Sequence, residues 1–129
     1  MTSMRVAVPS MHPGGLQAPR AGHFGHCDMF TLIDVEDGQI KDVSFVANGS
    51  HVQGGCQVPV DILRQSGAHA LIVGGIGMRP LMGFRQVGIE VYFGPYGETV
   101  GAVVDDLLQG KLELISDNQV CGGGGGGRF

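Results

Sequence analysis

The chain has 129 residues, of which 43% are hydrophobic, which is enough apolar material for the core of one domain. Its formal net charge is -4 and its 8 basic residues are scattered, which argues against a protein that binds nucleic-acid phosphates non-specifically. No apolar run of about eighteen residues and no signal-peptide pattern occur, so we expect a cytoplasmic protein without a membrane segment.

The first half of the chain is predicted to form three strands. Residues 4–9 alternate valine with smaller or polar residues, and the segments 29–36 and 40–46 are rich in β-branched and aromatic side chains. Between the last two stands Asp37-Gly38, a strong signal for a tight turn. The sequence therefore predicts a β-hairpin after the first strand.

The second half alternates helices and strands. Predicted helices span residues 58–65, 80–87 and 99–109, and predicted strands span 70–73 and 89–93. Thr99 is the expected N-cap of the last helix, and glycines end all three. This order predicts a mixed α/β sheet in which the crossover strands are parallel and helices cover both faces.

The segment 23–27 (HFGHC) is the densest group of potential metal ligands. It offers the imidazoles of His23 and His26 and the thiol of Cys27 on a glycine-containing loop. These ligand types bind soft metals such as zinc, copper and the iron of iron–sulfur clusters. A loop end with a buried cysteine acting as a small hydrophobe is the simpler alternative.

The two other cysteines are far from this segment in sequence. Cys56 follows two glycines and precedes a predicted helix, whose dipole favours the thiolate that binds metal. Cys121 introduces six consecutive glycines, so residues 116–129 are expected to form a flexible Cys/Gly-rich tail after a domain spanning residues 1–115. His51 and His12 are further ligand candidates of lower weight. An incidental cysteine in an unstructured terminus remains the alternative for Cys121.

The cysteine spacing disfavours several familiar metal sites. There is no Cys-x-x-Cys pair, so a zinc ribbon or a ferredoxin-type binding run is not expected. Three widely separated cysteines would also leave one thiol outside any disulfide pairing. Ligands would have to converge from separate loops, which suits the binding of an assembled cluster at a surface.

A glycine-rich turn follows the strand predicted at residues 70–73. Its glycines, including Gly75 and Gly77, let backbone amides face an anion, and Arg79 supplies a positive charge nearby. The turn lacks the Lys and Ser/Thr of a nucleotide-binding P-loop. These amides could instead donate hydrogen bonds to the sulfides of an anionic cluster.

The sequence resembles the dinitrogenase iron–molybdenum cofactor biosynthesis family, also described as NifX-like. The resemblance spans roughly residues 4 to 115. It rests on the early strand RVAV (5–8), the signature HFGHC (23–27) followed by Phe30 and Asp34, the turn GGIG (74–77) and the segment GIEV (88–91).

The resemblance implies a three-layer α/β/α fold of the ribonuclease H-like type, with a mixed five-stranded sheet containing one antiparallel hairpin strand. It also implies binding or carriage of an iron–sulfur cluster, which could contain molybdenum or copper, together with cluster donor or acceptor proteins and no catalysis. His23 and Cys27 match the family signature. Ligand roles for Cys56 and Cys121 go beyond it.

Two other functions stay open on the sequence alone. One is a protein-interaction or scaffold domain without metal, which a homodimer would also suit. A stable partner in the absence of bound metal would favour it. The other is a magnesium-dependent nuclease, since such enzymes share the implied fold type. Nucleases of this type need clustered carboxylates, whereas the first strand has none and Asp34 shows no evident partner.

Overall fold

The computed structural model describes residues 3–12, 14–21, 29–47, 57–94 and 99–115. Over these residues the chain forms six strands and three helices. In chain order they are β1 (Ser3–Ser10), β2 (Met29–Glu36), β3 (Gln39–Ala47), α1 (Gln57–Gln65), β4 (Ala70–Val73), α2 (Met78–Gln86), β5 (Glu90–Phe93), α3 (Val100–Leu108) and β6 (Glu113–Leu114).

The predicted hairpin is confirmed, and its turn has the conformation that the sequence demands. Asp37 and Gly38 both have positive φ angles, 54° and 80°, as a two-residue hairpin turn requires. The register then shifts, because Asp34 faces Asp42 whereas Val35 faces Ile40. Lys41 is therefore the extra residue of a β-bulge in β3, which lies at one edge of the sheet.

All six strands belong to one mixed sheet with the order β3-β2-β1-β4-β5-β6. Strands β1, β4 and β5 are parallel neighbours, whereas β2 is antiparallel to β1 and to β3. The expected number of five strands is wrong, because β6 adds a short antiparallel partner to β5. Its two residues are both exposed, so no alternation of apolar and polar side chains marked it in the sequence.

The sheet has helices on both faces, as predicted. Alternate strand residues point to opposite sides, which divides the buried side chains into two clusters. The cluster beneath α1 and α2 includes Ala7, Leu32, Leu71, Val73, Val91, Leu63 and Phe84. The cluster beneath α3 includes Val6, Val8, Ile33, Ala70, Ile72, Val103 and Val104. Each fully buried aliphatic or aromatic side chain contributes about 1.5–3 kcal/mol of transfer free energy, so both clusters hold the layers together.

Glycines in left-handed conformations follow the helices. Gly67, Gly88 and Gly110 have φ angles of 78°, 83° and 77°, which other residues adopt only at a cost. These glycines end the three helices where the sequence predicted. Among the described residues no helix is both long and apolar enough to cross a membrane.

Candidate functional site at the carboxyl edge of the sheet

The parallel strands β1, β4 and β5 end at the same edge of the sheet, which we call the carboxyl edge. From β1 the chain continues into β2 on one side, and β4 lies on the other side. In open α/β sheets such a reversal of strand order leaves a crevice beyond the strand ends, and ligands bind there. The residues that follow β1, β4 and β5 are therefore the first place to look for a site.

The loop after β1 folds back against the end of that strand. The amide of Met11 donates to the carbonyl of Pro19 at 3.0 Å, and the amide of Ala21 donates to the carbonyl of Pro9 at 2.8 Å. Ser10 and Arg20 form an antiparallel bridge between these two bonds. Ser10 also pairs with Met29 in β2, so residues 19–21 lie beside β1 on the side away from β2.

The same loop caps α3. Carbonyl oxygens of Ala18 and Leu16 accept hydrogen bonds from the amides of Val100 (3.1 Å) and Gly101 (2.7 Å). The side chain of Thr99 accepts from the amide of Ala102 at 3.2 Å, which confirms the predicted N-cap. A Cβ atom on Gly101 would lie 3.0 Å from the Leu16 oxygen, so a larger residue here would require the loop to shift by a few tenths of an ångström.

The glycine turn after β4 leads directly into α2. Gly77 is the N-cap residue, in an extended conformation, and none of the described side chains forms a capping hydrogen bond there. Gly75 is buried, Gly77 is half-buried and Arg79 is exposed. The first turn of α2 thus carries amides and a guanidinium without an acidic side chain, an arrangement that favours anions.

The sequence-predicted site residues divide into two groups. Gly75, Gly77 and Arg79 lie together at the carboxyl edge, between the end of β4 and the start of α2. The predicted ligands His23, His26, Cys27, Cys56 and Cys121 lie outside the described residues, as does His51.

The described residues that flank two of these ligand segments lie at the carboxyl edge. Ala21 and Met29 flank residues 22–28, and each is held next to β1 at its carboxyl end. Ala47, which precedes residues 48–56, pairs with Met29. At these points the chain therefore leaves and re-enters the described structure at the same edge of the sheet as the glycine turn.

The last described residue has a different position. The amide of Ile115 donates to the carbonyl of Val91 at 2.9 Å, and β6 runs antiparallel to β5. The described chain thus ends while heading away from the carboxyl edge. Cys121 is six residues further on, and an extended segment of that length spans at most about 20 Å.

Sequence reasoning missed three residues at this edge. Ser10 and Thr31 are fully buried although both carry hydroxyl groups. Arg20 is half-buried, and removal from water lowers the pKa of its guanidinium. A sequence signal for them was the hydroxyl residue Thr31, which stands between the apolar residues Phe30 and Leu32 of β2.

At the amino ends of the parallel strands, opposite the carboxyl edge, Asp34 forms an ion pair with Arg5. Arg5 donates two hydrogen bonds to its carboxylate, and this holds the pKa of Asp34 below its usual value. Among the described residues, no group of three or more His, Cys, Asp or Glu side chains is placed to hold a metal ion. The carboxylate that the nuclease hypothesis would use is thus paired within the fold.

Fold and edge geometry together define a three-layer α/β protein whose parallel strands end in a loop cluster suited to an anionic ligand. Residues 3–110 match the family model described as "Dinitrogenase iron-molybdenum cofactor". The chain belongs to this family, as its sequence motifs indicated.

Individual proteins are similar to this chain over most of its length. Protein MJ0580 of Methanocaldococcus jannaschii is 32% identical over 95 residues, which cover 70% of this chain and 78% of that protein. The crystal structure of PH0822 is similar with a TM-score of 0.75 and 30% identity, covering 88% of this chain and 98% of that one. The apo form of the orange protein from Desulfovibrio gigas is similar with a TM-score of 0.78 and 26% identity, covering 88% and 93%.

Proposed function

We propose that this protein binds an iron–sulfur or iron-containing heterometal cluster at the carboxyl edge and carries or stores it for metallocofactor assembly. Cys27, Cys56 and Cys121 are the proposed thiolate ligands, and His23 and His26 are the proposed imidazole ligands. The cluster is cargo, and no chemical step on an organic substrate is assigned to the protein. Molybdenum or copper could accompany iron, since thiolates bind both types of soft metal.

The observation that carries this proposal is the position of the chain segments around the carboxyl edge. Ala21 and Met29, which flank residues 22–28, and Ala47, which precedes residues 48–56, lie at this edge, and this supports the proposal. The glycine turn that precedes α2 lies at the same edge. Membership in the family of the dinitrogenase iron–molybdenum cofactor supports a metallocluster as the ligand.

The glycine turn suits the inorganic part of such a cargo. Clusters ligated by thiolates carry net negative charge, and hydrogen bonds to their sulfur atoms adjust their reduction potentials. Backbone amides at Gly75, Gly77 and the first turn of α2 are proposed as those donors. Arg79 is exposed beside them and is proposed as the compensating positive charge.

The remaining parts of the proposal concern domain organisation, location and partners. We propose that residues 1–115 form the cluster-binding domain and that Cys121, within residues 116–129, supplies a thiol to the cargo of the same or a second chain. The strand connectivity is taken to be ribonuclease H-like. We propose that the protein acts in the cytoplasm as a homodimer, with cluster donor and acceptor proteins as partners and without binding nucleic acid or membrane.

The direct test is anaerobic reconstitution of the full chain with iron and sulfide, with metal and sulfide analysis and visible spectroscopy. We expect sulfide-to-iron charge-transfer absorption and a defined metal-to-protein ratio. Cys27→Ala and Cys56→Ala should each lower that ratio. A colourless protein, or metal content unchanged by Cys27→Ala, would contradict the proposal, and a stable partner without metal would favour the scaffold alternative.

Substitution of Arg79 tests the role of the glycine turn in cluster binding independently of the thiolate ligands. Arg79→Gln should weaken retention of the reconstituted cluster and reduce the dependence of retention on salt concentration. Arg64→Gln is the matched control, because Arg64 is also exposed, lies on α1 and has only a weak 4.0 Å contact with Asp61. Equal effects of the two substitutions would argue against a role for the α2 turn.

A further inference from the structure

The outer face of α2 combines positive charge with an exposed apolar side chain. Met82 is 48% exposed, and Arg79, Arg85 and Gln86 are exposed as well. Residues three or four positions apart share one face of a helix, so Arg79 and Arg85 flank Met82, each three positions away. These three residues and Gln86 form what we call the α2 face.

The charge on this helix is opposite to that of the whole chain. The chain has 12 acidic and 8 basic residues, whereas α2 contains two arginines and no acidic residue. On the other side of the sheet, α3 contains Asp105 and Asp106 and no basic residue. The α2 face is therefore a positive surface on a negatively charged protein, and it attracts a partner surface of negative charge.

The side of α2 that holds the helix on the sheet is separate from the α2 face. It consists of the buried residues Pro80, Leu81 and Phe84. Arg85 also donates to the carbonyl of Ile115 at 3.3 Å, which limits the freedom of its side chain while the residue stays exposed. A side chain that is already ordered loses less entropy when a partner binds.

The composition of the α2 face favours a protein over a nucleic acid as its partner. Methionine adapts its shape to apolar partner surfaces, and methionine and arginine are both enriched in protein–protein interfaces. Two cations would neutralise few phosphates, whereas binding of nucleic acid requires a larger basic patch. An acidic protein surface with an apolar recess matches both features of the α2 face.

We propose that the α2 face is the docking surface for an acidic protein that gives the metallocluster to this chain or receives it. This inference rests on the proposed function, in which the cargo lies at the carboxyl edge. The first turn of α2 belongs to that edge, and a helix of nine residues is about 13 Å long. A partner bound along α2 is thus held next to the cargo, with Met82 in its apolar recess and the arginines beside its carboxylates.

Cluster transfer to an acidic protein tests this inference. The full-length chain is reconstituted anaerobically with iron and sulfide and mixed with an apo-ferredoxin of net negative charge, and transfer is followed by visible circular dichroism. We expect the second-order rate constant of transfer to fall as salt is added. Arg85→Gln and Met82→Ala should each slow transfer by about 5-fold or more, as truncation of interface anchors does, without changing transfer to a small chelator.

Matched variants remove the same features elsewhere on the surface. Lys111→Gln removes one positive charge from an exposed residue between α3 and β6, and Leu114→Ala removes an apolar side chain that is 53% exposed on β6. Both should transfer the cluster as fast as wild type. Arg85→Lys keeps the charge and should be faster than Arg85→Gln. Thermal unfolding verifies that each variant is folded.

Several results would overturn the docking role while leaving cluster binding intact. They are wild-type rates in both Arg85→Gln and Met82→Ala, equal slowing in either surface control, and undiminished transfer to a ferredoxin whose surface carboxylates have been replaced by amides. Absence of transfer from the reconstituted chain, or binding of a labelled duplex DNA that depends on Arg85, would also overturn it. Failure of the wild-type chain to take up iron and sulfide would instead overturn the proposed function. Slow transfer in the two α2 variants alone supports the inference.

Discussion

Arg5 and Asp34 form a two-point ion pair across the first two strands. Nε of Arg5 lies 2.6 Å from Oδ1 of Asp34, and Nη2 lies 3.1 Å from Oδ2. The remaining guanidinium nitrogen donates to the carbonyl of Ser66 at 2.6 Å. One side chain thereby connects β1, β2 and the turn after α1 at the amino ends of the parallel strands.

This ion pair makes stability depend on pH in the acid range. The hydrogen bond from Arg5 lowers the pKa of Asp34 in the folded protein. The ion pair therefore stabilises the fold at pH values above the pKa of Asp34 in the unfolded chain, which is about 4. This stabilisation is lost as the pH falls through the lower pKa of the folded protein. Asp34→Asn should cost about 1 kcal/mol at pH 7, because both side chains are about one-third exposed and solvent screens them.

Urea denaturation of wild type and Asp34→Asn at pH 7 and at successively lower pH measures that contribution. The difference between the two proteins should shrink toward zero in acid. Asp42→Asn is the control, since Asp42 faces Asp34 in the register but is exposed. A difference that persists unchanged in acid would show that the carboxylate charge does not stabilise the fold.

A second prediction concerns close packing at the end of β5. A Cβ atom on Gly94 would lie 2.8 Å from Val103 and 2.9 Å from Ile72, so Gly94→Ala should destabilise the protein by about 1–3 kcal/mol through overpacking. Gly77→Ala is the comparison, because its Cβ would meet nothing nearer than 3.7 Å and its cost should come from the weaker N-cap preference of alanine and not from overpacking. Chemical denaturation of both variants tests this, and similar losses would refute the packing argument.

A third prediction tests the cap of α3. The hydroxyl oxygen of Thr99 accepts from the amide of Ala102, and loss of such a cap costs about 1 kcal/mol. Thr99→Ala should therefore lower the urea midpoint, while Thr99→Ser should largely restore it. If serine is no better than alanine, the hydroxyl is not what stabilises this helix end.

A fourth prediction contrasts two phenylalanines. Phe84 lies on α2 and is fully buried, whereas Phe45 lies on the edge strand β3 and is 54% exposed. Phe84→Ala should cost about 3–5 kcal/mol, and Phe45→Ala should cost far less because little burial is lost. Thermal unfolding of each variant, with Phe84→Leu as a milder replacement, measures the contrast. Equal destabilisation would contradict the argument that the buried fraction of each phenylalanine side chain determines the cost of removing it.

Much of the fold was predictable because it is encoded locally. The turn at Asp37 and Gly38, the cap at Thr99 and the apolar run Ala70–Val73 each carry their structural reason within a few residues. Strand β6 was not predictable, because it forms only where the chain after α3 passes the open edge of β5.

The candidate site shows the same division. The sequence by itself determined which ligand types are available and that the turn containing Gly75 and Gly77 favours anions, since both depend on the chemistry of neighbouring residues. Only the tertiary structure decided that Ser10 lies between Arg20 and Met29 and that Thr31 connects it to Gly15. Those contacts join residues that are far apart in sequence, and they exist because the assembled sheet buries hydroxyl groups that must then find partners.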